Sequence, residues 1–262
     1  MKDLKGKVAF VTGGSSGIGQ GIVKVLAAEG MKVAFSYRRQ DHLDQTMAYF
    51  RDKPQQAVHP IKVHGPMEQA TFSDWDWIMS INVGGVINAL VTFLPGMVAN
   101  GMEAHIVNVA SMGGIAALGA VGLYTTTKYA VVGLSESLRT DMMGRNIGVS
   151  VYCPGTVKSN IGAGDAMRNE RFKDSGYAPP APRKEGETSF MDFSMDAVEA
   201  GRHVLNGIKN NQLFIISHPE YRDVLRARHA KIEASISNEP VDGVRAESVR
   251  FILSNAIYSE NA

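Results

Sequence analysis

The glycine-rich stretch "TGGSSGIG" at residues 12–19 constrains the fold of this chain more than any other feature. It follows a short apolar run, residues 7–12, and precedes apolar positions at helical spacing that end at Gly30. A second strand at 32–37 and a second helix at 41–51 come next. The chain therefore opens as a βαβα unit of the kind that builds a parallel sheet.

The alternation of strands and helices continues to the end of the chain. Further strands are predicted at residues 59–63, 105–111, 148–155 and 213–217. Further helices are predicted at residues 73–100, 124–145 and 194–210, with two more within 219–258. Ser73 and Asp76 resemble a capping box at the start of the first of these helices.

This pattern predicts an α/β fold, a Rossmann-like doubly wound parallel sheet with helices on both faces. We expect a single domain over residues 1–262. The irregular segment 156–193 is rich in Gly, Pro and charged residues, and we predict that it is a substrate lid. Residues 219–258 are predicted to form a C-terminal helical extension.

Composition excludes several classes of partner. A formal net charge of +1 gives no electrostatic reason to expect nucleic acid or an anionic membrane. The single cysteine, Cys153, excludes an internal disulfide and reads as a buried core thiol, and the scattered histidines imply no metal. The first residues lack the apolar core of a signal peptide, so we predict a cytoplasmic protein with a small-molecule substrate.

The glycine corner predicts a dinucleotide site. Gly13, Gly17 and Gly19 follow a strand and open a helix, where free backbone N–H groups can receive a pyrophosphate. A tight turn without a ligand is one alternative. Another is a nucleophile elbow, G-x-S-x-G, with Ser15 as nucleophile, although Ser15 follows only the first strand.

The end of the second strand favours NADP(H) over NAD(H). An acidic residue there would bind the ribose hydroxyls of NAD. This chain has Arg38 and Arg39 instead, which can pair with a 2′-phosphate. A solvated basic pair is the alternative.

"YTTTK" places Tyr124 and Lys128 four residues apart, on one face of a helix. An ammonium beside a phenol favours phenolate, which suits a general acid–base group. Ser111 ends a strand at the carboxyl edge of the sheet, where open α/β folds bind ligands.

Together these motifs resemble the short-chain dehydrogenase/reductase family. The resemblance covers about residues 5–217 and rests on TGGSSGIG, Asn82 in "SINVGG", Ser111 in "IVNVASM", "YTTTK", and "PGTVKS" at 154–159. It implies a seven-stranded doubly wound sheet and hydride transfer between a nicotinamide and a carbonyl compound or secondary alcohol. It also implies a homodimer or homotetramer formed through the helices 73–100 and 124–145.

The resemblance assigns roles to individual residues. Tyr124 would donate or accept the proton, Ser111 would hold the substrate oxygen, and Asn82 would support a water-linked proton relay. Lys128 would bind the nicotinamide ribose and lower the pKa of Tyr124. The cofactor would contact Gly13, Ser15, Ser16, Gly17, Ile18, Gly19, Arg38, Arg39, Tyr124, Lys128, Pro154, Gly155 and Val157.

Two later segments refine the resemblance. "SNIGAGDAMRNERF" and "FIISHPEYRDVLRARHAKIEASI" are similar to the subgroup of bacterial Cα-dehydrogenases that oxidise benzylic alcohols of aryl ethers. The subgroup implies an aryl or otherwise bulky apolar substrate.

The chain departs from the family in the middle. Val63 passes directly to His64, so roughly thirty-five family residues, including a central strand and an Asn-Asn-Ala-Gly turn, are absent. We hypothesise that residues 59–63 fill the vacated place beside the first strand, which leaves one strand fewer than seven. Two further readings stay open: a non-catalytic dinucleotide-binding or scaffold protein, and a serine hydrolase that uses Ser15.

Overall fold

The computed structural model describes residues 1–37, 41, 42, 44, 46, 65–159, 161, 168–178, 188 and 190–258. The strands among them are β1 (Val8–Val11), β2 (Lys32–Phe35), β3 (Ala104–Val109), β4 (Ile147–Tyr152) and β5 (Phe214–Ile215). The longer helices are α1 (Gly17–Ala28), α2 (Phe72–Asn82), α3 (Gly84–Asn100), α4 (Gly122–Asp141), α5 (Ala197–Lys209) and α6 (Arg222–Glu233). Two short helices follow, α7 (Gly243–Ser248) and α8 (Arg250–Leu253).

The strands pair in parallel, as the alternating pattern predicts. β1 pairs with β2 from Val8 opposite Lys32 to Val11 opposite Phe35. β4 lies between β3 and β5 and is parallel to both. With helices on both faces, this arrangement confirms the Rossmann-like doubly wound fold.

The described strands fall into two groups that do not pair with each other, β1–β2 and β3–β4–β5. One face of β1 is exposed, because Val8 is 74% exposed and Phe10 is 43% exposed, whereas Ala9 and Val11 on the other face are partly buried. The Phe10 ring meets Phe93 of α3 at a centroid distance of 5.1 Å. Residues 59–63, which we expect beside β1, lie outside the described residues, so that hypothesis stays open.

One hydrophobic core joins the two groups of strands. It includes Ile22 and Leu26 of α1, Val204 of α5, Tyr152 of β4 and Ile215 of β5. The helices α1 and α5 can approach closely because glycines meet at their crossing. A Cβ atom at Gly21 would overlap the Ala197 carbonyl group, and one at Gly201 would lie 2.5 Å from the Gly21 oxygen.

The opposite face of the sheet is covered by α4. Val131 and Val132 pack there with Val151, Met112 and Cys153. Cys153 is fully buried, as the sequence predicts, and burial raises the pKa of its thiol to about 12. The thiol is therefore protonated at neutral pH, and Cys153 packs as a core side chain.

The structure corrects the predicted helix 73–100 in two respects. The helix begins at Phe72 behind the cap Thr71, whose hydroxyl accepts a hydrogen bond from the Asp74 N–H while the Asp74 carboxylate accepts one from the Thr71 N–H. The capping box is thus Thr71 and Asp74, not Ser73 and Asp76. The helix also breaks at Val83, so α2 and α3 are separate elements.

The stretch Phe72–Asn100 is the one part of the described chain whose length and composition would let it cross a membrane. Its two helices differ in their surroundings. α2 buries Trp77, Ile78 and Asn82, whereas α3 has no buried residue. Exposed apolar side chains lie on both helices, for example Phe72 of α2, which is 89% exposed, and Val91 of α3, which is 70% exposed.

The other predicted helices agree with the structure wherever it describes them. The helices predicted at 124–145 and 194–210 are confirmed as α4 and α5 within a few residues. Of the predicted helix 41–51, the described residues 41, 42, 44 and 46 are helical. Much of the predicted lid, and Arg38 and Arg39, lie outside the described residues.

Candidate active site

Ser111 and Tyr124 meet where β3 ends and α4 begins. Ser111 caps a short turn at Met112–Gly114, and its hydroxyl accepts a hydrogen bond from the Gly113 N–H at 3.1 Å. Tyr124 lies in the first turn of α4 and is 6% exposed. Burial raises the pKa of Tyr124 to about 12, and a hydrogen bond with Ser111 opposes this rise only in part.

Lys128 lies one turn after Tyr124 and is buried with it. Its ammonium donates a hydrogen bond to the carbonyl oxygen of Val109 at 3.1 Å and lies 5.5 Å from the centroid of the Tyr124 ring. Burial lowers the pKa of Lys128 to about 8. The four-residue spacing thus brings these two groups together, as predicted.

Burial dominates the electrostatics of Tyr124 in the protein by itself. The lowering of its pKa that the sequence predicts from Lys128 stays a prediction, and the pKa lies above its ordinary value. The reason is that Tyr124 and Lys128 are both removed from water, which penalises the phenolate and the ammonium alike. Tyr124 is accordingly a neutral phenol at pH 7.

Asn82 lies at the last position of α2 and faces α4. Its side-chain amide donates a hydrogen bond to the Thr127 hydroxyl at 3.0 Å. The Thr127 hydroxyl donates in turn to the carbonyl oxygen of Tyr124 at 2.7 Å. These contacts bring Asn82 against the turn of α4 that carries Tyr124. The break between α2 and α3 lies at Val83, the next residue in the chain.

The glycine corner has the backbone geometry of a close turn. Gly13 and Gly17 have positive φ angles of 67° and 49°, which side chains rarely tolerate. A Cβ atom at Gly19 would overlap the Gly13 carbonyl group. The Gly13 N–H donates to the Ser36 hydroxyl at 3.3 Å, which ties the corner to the end of β2.

The corner also contains a buried polar atom suited to a ligand. Ser15 is 1% exposed, and its hydroxyl has no hydrogen-bond partner among the described residues. Ser16 caps α1 without a side-chain bond to it, so the first N–H groups of α1, at Gly17, Ile18 and Gly19, have no intrahelical partner. This donor set fits a dinucleotide pyrophosphate. No described base contacts Ser15, which counts against a hydrolase nucleophile there.

The loop after β4 joins the two parts of the site. The carbonyl oxygen of Pro154 accepts a hydrogen bond from the Met112 N–H at 2.8 Å, next to Ser111. Further along, Val157 is buried, and Ser159 lies so close to Gly17 that a Cβ atom there would be 2.7 Å from the Ser159 Cβ. Residues 154–159 thus run from Ser111 to the glycine corner.

Two clusters near the site escaped sequence analysis. Asp74 on α2 accepts hydrogen bonds from Arg168 and Ser175 at 2.8 Å each, and from the Gly176 N–H at 3.0 Å. Burial opposes the charge of Asp74, but these bonds and the one from Thr71 hold its pKa below the usual range. The T-x-x-D spacing predicts the helix cap. It does not predict the contacts of Asp74 with residues about a hundred positions further along the chain.

The second cluster surrounds His218, three residues after the end of β5. Its ring contacts the loop 154–157 at Gly155 and Thr156. A lone histidine after a strand carries no sequence signal for such a contact.

Known proteins resemble this chain over most of its length. A family model described as short chain dehydrogenase matches residues 7–64 and 60–169. The two matched pieces meet where we placed the missing family segment. Among curated relatives, the C alpha-dehydrogenase of Sphingobium sp. strain SYK-6 is 31% identical over an alignment covering 90% of this chain and 88% of the relative.

Two further relatives agree with that match. A CLA biosynthesis dehydrogenase/reductase of Lactiplantibacillus plantarum is 26% identical and aligns with 88% of this chain and 95% of its own length. The solved apo structure of LigO from Sphingobium sp. strain SYK-6 is 33% identical, with a TM-score of 0.72, and the superposition covers 99% of this chain and 100% of LigO.

Proposed function

Because the chain belongs to the short chain dehydrogenase family of oxidoreductases, we propose that it is an NADP(H)-dependent enzyme that interconverts a secondary alcohol and a carbonyl compound. The observation that carries the proposal is the buried meeting of Ser111, Tyr124 and Lys128 at the carboxyl end of β3. Ligands bind at this edge of the sheet in open α/β folds.

Tyr124 moves the proton. As a neutral phenol hydrogen-bonded to Ser111, it donates its proton to the carbonyl oxygen when the substrate is reduced and becomes a phenolate. In the reverse direction the phenolate form accepts the proton of the alcohol and returns to the phenol. The Ser111 hydroxyl binds the same substrate oxygen. The phenolate left after donation lies near the Lys128 ammonium, whose charge stabilises it.

Asn82 and Thr127 hold the reacting turn of α4 in place. Their two hydrogen bonds fix the backbone of Tyr124 relative to the end of α2. We assign to Asn82 the support of the proton path between Lys128 and solvent, which returns a proton to Tyr124 after each reduction.

A nicotinamide dinucleotide would supply or accept the hydride. The N–H groups at the start of α1, with the Ser15 hydroxyl, would bind its pyrophosphate, and residues 154–157 would line its nicotinamide. The choice of NADP(H) rests on Arg38 and Arg39 in the sequence.

We further propose a bulky apolar or aryl substrate. The side chains around Tyr124 are apolar and partly aromatic: Trp77, Val121 and Leu123 are buried beside it, with Phe172 and Tyr177 of the predicted lid against them. The related Sphingobium protein is named a C alpha-dehydrogenase. A panel in which small polar ketones turn over faster than aryl ketones would contradict this substrate class.

The exposed apolar face of α3 supports a homodimer or homotetramer. No residue of α3 is buried, although most of its side chains are apolar. Such a face on a stretch next to the site favours self-association through α3 and α4. Sedimentation of the purified protein should give a dimer or tetramer, and a monomer at micromolar concentration would contradict the assignment.

A non-catalytic dinucleotide-binding or scaffold protein is the alternative, and the exposed face of β1, which leaves this part of the sheet incompletely covered, favours it. A fluorescence titration with NADPH and, separately, NADH distinguishes the two functions when it is followed by turnover of an aryl ketone. Saturable NADPH binding with turnover supports the enzyme. Binding without turnover on any alcohol or ketone in the panel supports the alternative.

A further inference from the structure

His218 is buried three residues after the end of β5, and both of its ring nitrogens lie within hydrogen-bond distance of a partner. The Gly155 N–H donates a hydrogen bond to its Nδ1 atom at 3.0 Å. The Ser217 hydroxyl lies 2.9 Å from the same nitrogen, and the Tyr152 hydroxyl lies 2.9 Å from the Ser217 oxygen. The Nε2 atom lies 3.2 Å from the carbonyl oxygen of Thr156.

These partners fix the state of the imidazole. A backbone N–H can only donate, so Nδ1 must accept from Gly155 and carry no proton. A carbonyl oxygen can only accept, so Nε2 must carry the proton and donate it to Thr156. The Ser217 hydroxyl then donates to Nδ1, and the Tyr152 hydroxyl donates to Ser217. Because Nδ1 has one lone pair, the Gly155 N–H and the Ser217 hydroxyl share it, and the neutral Nε2–H tautomer is the form consistent with all of these partners.

Packing supports the same arrangement. A Cβ atom at Gly155 would lie 2.7 Å from His218 Cδ2 and 3.0 Å from the Tyr221 ring. The His218 and Tyr221 rings meet edge to face at 6.3 Å. The glycine thus allows the backbone of the loop to rest directly on the imidazole.

We propose that His218 is a positioning residue for the nicotinamide-binding loop. Through its neutral Nε2–H tautomer it clamps the N–H of Gly155 and the carbonyl group of Thr156, the two groups that precede Val157. It does not touch the reacting atoms. The inference rests on the proposed function, because that function places the nicotinamide on this loop.

The clamp has a consequence for binding. The loop must present one backbone orientation to the nicotinamide, and ordering a mobile loop costs binding free energy. Loss of the clamp should therefore weaken the binding of the whole dinucleotide by about tenfold. It should leave fragments that lack nicotinamide unaffected, since the described hydrogen bonds of His218 to the loop are at Gly155 and Thr156.

The first test needs no cofactor. Long-range ¹H–¹⁵N spectra of the full chain with labelled histidine, assigned through H218N, report which ring nitrogen carries the proton. We expect protonated Nε2 and unprotonated Nδ1 at neutral pH. A protonated Nδ1, or exchange between the two tautomers, would overturn the clamp whether or not the protein is an enzyme.

The second test uses two variants that each keep half of the clamp. H218N keeps an acceptor near the position of Nδ1, and H218Q keeps a donor near the position of Nε2. H229N on the exposed side of α6 is the matched control. NADPH and 2′,5′-ADP are titrated separately into each protein.

We expect H218Q to bind NADPH about tenfold more weakly, H218N to bind it about threefold more weakly, and both to bind 2′,5′-ADP as the parent does. H229N should be unchanged. Parental NADPH affinity in both His218 variants, or equal weakening for both ligands, would overturn the positioning role. If the parent protein binds neither ligand, the proposed function fails instead, and the tautomer measurement still decides whether the clamp exists.

Discussion

The N-terminal unit (residues 7–37) and the catalytic unit (residues 104–158) are both built from parallel strands and a helix, yet they differ in how completely they are enclosed. In the catalytic unit, Val149 and Val151 of β4 are fully buried between layers. In the N-terminal unit, Val8 of β1 is 74% exposed. The groups proposed for proton transfer are therefore fixed by contacts that do not depend on the exposed face of β1.

The largest expected effect tests whether the chemistry is confined to the catalytic unit. Replacing Tyr124 by Phe removes the hydroxyl but keeps the buried ring, so turnover should fall by about 10³-fold while NADPH binding persists. Tyr129→Phe, on the same helix, should keep parental turnover. Initial rates with an aryl ketone provide the measurement, and equal activity of Tyr124→Phe and the parent would refute the assignment of Tyr124.

The next contrast concerns the Asp74 cluster that joins α2 to the predicted lid. Replacing Asp74 by Ala leaves Arg168 without its buried partner and removes the cap of α2. We expect a loss of about 3 kcal/mol in the free energy of unfolding, read from urea denaturation. Asp76→Ala at an exposed position should change it by less than about 0.5 kcal/mol. A larger loss for Asp76 would restore the capping pair predicted from sequence.

The choice between the two possible capping pairs depends on contacts that the local sequence does not show. Thr71 with Asp74 and Ser73 with Asp76 both fit the capping pattern, and only tertiary contacts of Asp74 decide between them. Local spacing was sufficient for the glycine corner and for the Tyr124–Lys128 pair, since both follow from the geometry of one turn.

Long-range contacts were beyond local reasoning. His218 meets Gly155 across sixty-three positions, and no periodicity encodes that distance. The high pKa of Tyr124 is beyond local reasoning for a related reason. Spacing shows that Lys128 is near, whereas the depth of burial, which dominates here, depends on the complete fold.

The third expected effect is a loss of protein stability at low pH. It arises from His105, near the start of β3 and away from Ser111. Burial, with smaller contributions from the N-terminal amine and Arg139, lowers the pKa of His105 from 6.5 to about 4. The unfolded chain thus binds this proton more tightly than the folded one. The contribution of neutral His105 to the free energy of unfolding is therefore complete above about pH 6.5. It is lost as the pH drops toward 4, by about 3 kcal/mol in total.

His105→Gln should flatten that dependence between pH 6.5 and 4, and His229→Gln should not, because His229 is exposed. Urea denaturation at several pH values measures both. An unchanged slope in His105→Gln would assign the acid sensitivity to other groups.

The smallest effect returns to the difference between the two units. Val149→Ala removes two buried methyl groups and should cost about 2 kcal/mol, whereas Val8→Ala should change the free energy of unfolding by less than about 0.5 kcal/mol, because Val8 is largely exposed. The same denaturation experiment compares them directly. If the two costs prove equal, the exposed face of β1 is covered in solution, since an exposed methyl group contributes little to stability. The contrast between the units would then vanish, and with it the observation that favours a non-catalytic protein.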